Sequence, residues 1–89
     1  MKQLETAREL LSYIDRQIVL WLMERIQLSH GIGHIKRREE IEVYNSTQEA
    51  ELMRRVTELG TEVGLRKEFV IEIYRLIHEE SVRIQRRVR

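Results

Sequence analysis

Five polar side chains fall on faces of this sequence that should be apolar. Counting from Leu4 in steps of three and four gives Ala7, Leu11, Ile14, Ile18, Trp21, Arg25, Leu28, Ile32 and Ile35, a helical seam in which Arg25 is the one charged member. Lys36, eleven residues on, returns to within about 20° of the same direction about 16 Å further along. Glu49 projects within about 20° of Val56. Ser81 interrupts the stripe Val70, Ile73, Ile77, Ile84 and Val88, and Gln85 lies one turn further at its edge. A buried charge costs stability unless an opposite charge meets it. Two cations, one carboxylate and two neutral hydrogen-bonding groups on inward faces describe a polar pocket for an anion inside a helix bundle.

Each residue also has a plain structural reading. Arg25 and Glu49 could form an internal ion pair that fixes register. Glu49 follows Ser46 by three residues, a capping-box spacing. Ser81 could bond its own i−4 carbonyl, and Lys36 opens the charge run "KRREE", the pattern of a solvated face. Gln85 carries no signal alone. His30 and His34 have metal-pair spacing but no third ligand in view, and they project about 140° or more away from Arg25, so they read as surface histidines. Tyr13, Tyr44, Tyr74 and Trp21 read as packing or surface residues.

Helices must position these groups. The sequence has 89 residues, no proline and no cysteine, and no stretch alternates as a strand would. Periodicity predicts an all-α protein with helices over about residues 3–42, 46–60 and 66 to the end. Gly31 and Gly33 make a break at "HGIGH" the alternative to one long first helix, but the apolar phase survives both glycines and favours continuity. Gly60 and Gly64 bracket the second connection. A first helix of about 40 residues is about 60 Å long, more than the two shorter helices can cover, so the economical solution is a dimer built on paired long helices.

Composition narrows the classes. The chain reads as one domain, residues 1–89. Sixteen Lys and Arg against fifteen Asp and Glu leave a net charge of +1, no general nucleic-acid footprint, although "RIQRRVR" gathers positive charge at the C-terminus. The longest apolar run, "IVLWLM", is too short for a membrane span, and no signal-peptide pattern opens the chain. A soluble, cytoplasmic protein without a thiolate metal site is the expectation.

Arg8 in "ARELLSYID", Arg25 in "MERIQL", Lys36, Glu49 in "QEAEL", and Ser81 with Gln85 in "IHEESVRIQ" together resemble the all-helical class of chorismate mutases over nearly the whole chain. The resemblance implies an intertwined three-helix homodimer that rearranges chorismate to prephenate without cofactor or covalent intermediate. It implies that Lys36 and Gln85 donate to the ether oxygen. Arg25 and Arg8 would clamp carboxylates, Ser81 would assist, and Glu49 would take the ring hydroxyl with Asn45 nearby. Arg8 and Arg25 are seventeen residues apart on one helix, about 25 Å, so if Arg8 is the site residue that the resemblance implies, it must serve the partner's site. Gln48 stands where most members carry Arg, and Asn45 where many carry Asp, which puts substrate hold or preference in question. Isochorismate pyruvate lyase is the alternative activity, with Ser81 leaning towards the mutase. A non-catalytic dimerisation or metabolite-binding module is the alternative class; a helix-turn-helix nucleic-acid binder fits poorly with the near-neutral charge and unbroken seam.

Overall fold

A computed structural model describes residues 1–88. It contains three α-helices, α1 Lys2–Arg38, α2 Ser46–Glu62 and α3 Lys67–Arg87, with no strand among the described residues. α1 runs unbroken through both glycines. The two have different surroundings. A methyl group on Gly33 would stand 2.9 Å from the Gln85 Cα and 3.0 Å from its carbonyl oxygen, whereas one on Gly31 would meet nothing within 4 Å. Gly33 is thus where the backbones of α1 and α3 approach closely.

α1 stops at Arg38, short of the expected end near residue 42. The chain turns there through Glu40, a non-glycine residue at φ 56°. Ile41 N–H donates to the Lys36 carbonyl at 2.7 Å and Glu40 N–H to the Arg37 carbonyl at 3.2 Å, the paired bonds of a Schellman ending. α2 starts from a different cap than its Ser46–Glu49 spacing suggests. Asn45 is extended, at φ −140° and ψ 108°, and its side-chain oxygen accepts from Gln48 N–H at 3.1 Å. Glu49 is left free of capping duty. α2 passes residue 60 and closes with Gly64 at φ 84°, where Leu65 N–H reaches the Gly60 carbonyl at 2.8 Å. The expected run of α3 to the chain end falls partly on Arg89, outside the described residues; Val88 is already extended.

α3 lies between the other helices and packs on both. Leu52, Val56 and Val70 form the α2–α3 core with Tyr74 against it, and Ile84 and Val88 are buried towards the end of α3. The molecule measures 57 × 25 × 15 Å; the short dimension is little more than one helix diameter of about 10–12 Å, so the helices form a single layer. Such a layer encloses no more than that small core. No large side chain among the described residues is sealed from solvent, and the first fifteen residues of α1 are exposed throughout. Ile18, Trp21 and Leu28 of the seam remain 53%, 71% and 67% exposed. No described helix is long and apolar enough to cross a membrane.

Candidate active site

The second half of α1, the turn after it, the start of α2 and the end of α3 enclose a cleft of about 560 Å³. Its polar wall includes Arg25, Lys36, Asn45, Gln48, Ser81 and Gln85, and Leu28, Ile32 and Leu52 supply apolar surface. Helical spacing explains the convergence: positions 25, 29, 32 and 36 share one face of α1, and 78, 81 and 85 share one face of α3.

Arg25 is half-buried and donates from Nη1 to Ser81 Oγ at 2.5 Å. Ser29, one turn after Arg25, is buried and donates to the same oxygen at 3.0 Å. Ser81 therefore bonds across the helix pair, not to its own backbone. With two donors on its oxygen, its remaining capacity is its own O–H, which can donate to a ligand. Lys36, half-buried, spends one N–H on the Val43 carbonyl at 2.7 Å and keeps two for a ligand. Gln85 is buried, and its Oε1 has no hydrogen-bond partner among the described residues. Because Asn45 Oδ1 is held by the cap, its amide N–H₂ is the group left for the cleft.

Glu49 is placed differently from the inward group expected. It lines an adjoining cavity of about 520 Å³ with Tyr44 and His78, and His78 borders both spaces. Tyr44 Oη donates to Glu49 Oε1 at 3.1 Å. That bond, with the carboxylate's charge adding to it, holds the Tyr44 phenol above its ordinary pKa. His78 Nε2 is 3.4 Å from Glu49 Oε2, near enough to pair when the ring is protonated but without hydrogen-bond geometry. Tyr44 is thus more than packing. The internal Arg25–Glu49 ion pair does not form, since each group has other partners.

A model of the family "chorismate mutase type II" matches residues 7–86. The chain belongs to the type II chorismate mutase family. It is 29% identical over 80 residues to a bifunctional chorismate mutase/prephenate dehydratase of Buchnera aphidicola subsp. Baizongia pistaciae, covering 90% of this chain and 22% of the relative. A protein of the same description from Aquifex aeolicus is 26% identical over 92 residues, covering 100% of this chain and 25% of the relative. This type II chorismate mutase chain therefore spans a quarter or less of the length of those relatives.

Of the residues singled out from sequence, six meet at the cleft, Glu49 stands in the adjoining cavity, and Arg8 lies on the exposed first part of α1. Ser29, Arg55 and His78 border the cleft without having been singled out. Their spacing carried a signal: four residues after Arg25, seven after Gln48, and three before Ser81. His30 and His34 are exposed, and no group of three or more metal-ligating side chains occurs among the described residues.

Proposed function

We propose that the chain is a chorismate mutase domain over residues 1–89, converting chorismate to prephenate in aromatic amino acid biosynthesis. The observation that carries this reading is the set of donors turned on one cleft: the Arg25 guanidinium, two free Lys36 N–H groups, the Ser81 hydroxyl and the Asn45 amide. In this pericyclic rearrangement the C–O bond breaks ahead of C–C formation, so negative charge grows on the ether oxygen. Fixed donors to that oxygen favour the transition state over the ground state, and neither a nucleophile nor a base is required. Lys36 and Gln85 are assigned to the ether oxygen, Arg25 to a carboxylate with Ser81 assisting, and Glu49 to the ring hydroxyl beside Asn45 and Gln48. That role for Glu49 requires its carboxylate to turn from Tyr44 towards the cleft.

The working unit in this proposal is an intertwined cytoplasmic homodimer. The bare seam of α1 supports it, because each fully covered Leu or Ile side chain contributes roughly 1.5–3 kcal/mol. Arg8 of each chain then completes the partner's cleft. The test is direct: purified protein should consume chorismate, followed by its ultraviolet absorbance, and yield prephenate. Protein inert to chorismate but releasing pyruvate from isochorismate would make it the lyase; inertness to both would leave a binding module.

A further inference from the structure

The α2 wall of the cleft shows Asn45, Gln48, Leu52 and Arg55, a spacing of three, four and three that keeps all four on one helical face. Asn45 and Gln48 are neutral, so the only charge on this wall is Arg55. Its neighbour Arg54 shows what an arginine here does when it serves the helix alone: it pairs with Glu51 at 2.5 Å and Glu58 at 2.9 Å on the exposed face. Those carboxylates lie four residues before and three after Arg55, within helical reach, yet neither bonds it. Side chains on a helix lean towards its N-terminus, so Arg55, which lines the same cleft wall two turns after Gln48, is in a position to reach back along that wall towards Gln48. The charged groups that this chain brings to the cleft are then Arg25, Lys36 and Arg55 against Glu42.

We propose that Arg55 is a substrate-binding residue: it holds a carboxylate of the dianion from the α2 side, opposite Arg25, and supplies the positive charge that Gln48 lacks. The assignment rests on the chorismate mutase reading. Its contact is with a carboxylate present in both ground and transition states, so it acts chiefly on substrate affinity.

The experiment compares chorismate kinetics of the parent, Arg55→Gln, Arg55→Lys, Arg54→Gln, and the double variant Gln48→Arg with Arg55→Gln. Losing one exposed charge-assisted contact should raise KM about tenfold in Arg55→Gln with kcat within about threefold, and should flatten the salt dependence of kcat/KM. Arg55→Lys should recover part of the affinity. Arg54→Gln should match the parent. The double variant, with its cation moved two turns along the same face, should return KM to within about threefold of the parent, a rescue that a merely structural arginine would not show. Parental KM and salt dependence in Arg55→Gln, with the parent active, would overturn the Arg55 assignment alone. A parent without chorismate turnover would overturn the function and this assignment together.

Discussion

Gln85 is buried at the cleft wall with an unpartnered Oε1, and its value to the proposed chemistry lies in the donor at the other end of its amide. Gln85→Glu separates donor from shape. An ionised carboxylate cannot donate and repels charge growing on the ether oxygen, so only the protonated variant should work. Burial raises the new carboxyl's pKa, while Lys36 and Arg25 lower it. Whichever prevails, activity follows the protonated fraction. The kcat/KM of the variant should therefore rise as pH falls from about 8 to 5 while the parent stays flat; a parallel profile in both would remove Gln85 from the mechanism. At this scale position was legible wherever a residue belonged to a helical period: Arg25, Lys36, Ser81 and Gln85, picked out by their phase against apolar neighbours, line one cleft. The place of Glu49 in the adjoining cavity was not legible, because its partner Tyr44 sits before the α2 cap, where no period applies, and its other neighbour His78 comes from a different helix.

The crossing of α1 and α3 fixes where Gln85 stands, and Gly33 sets how close they come. Gly33→Ala should cost about 1–3 kcal/mol, because backbone atoms of Gln85 oppose the methyl group and cannot turn aside. It should also lower kcat, since the helix that yields carries Gln85. Gly31→Ala, in open space, should instead stabilise by roughly 0.5–1 kcal/mol through helix propensity. Urea unfolding of the two variants tests the contrast; equal stabilities would deny the close approach any role. The unbroken α1 was legible because its apolar phase runs through both glycines. Its end was not. A helix usually announces its stop with glycine in the left-handed position, and here Glu40 occupies that position.

A single layer 15 Å thick leaves the α1 seam bare, and the proposed dimer makes each site a joint property of two chains. Arg8→Ala and Arg25→Ala proteins, each nearly inactive, should complement when unfolded and refolded as an equal mixture. Random pairing makes about half the dimers mixed, and each of those holds one intact and one doubly broken site, so about a quarter of parental activity should return. Mass spectrometry confirms that mixed dimers form; if they form without recovery, Arg8 does not complete the partner's site. The expectation of a partner rests on the mismatch between one long helix and two short ones, and the exposed seam of α1 is what supports it in the structure. Arg8 is the candidate to cross because it is too far along α1 from Arg25 to share its site. The bare seam also bears on the kinetic order of the reaction. If a lone chain holds only fragments of two sites, turnover stops being first order in protein once dilution separates the chains, and tends towards second order. Trp21, 71% exposed on the lone chain and absent from the cleft wall, would then affect the rate only through the dissociation constant of the dimer.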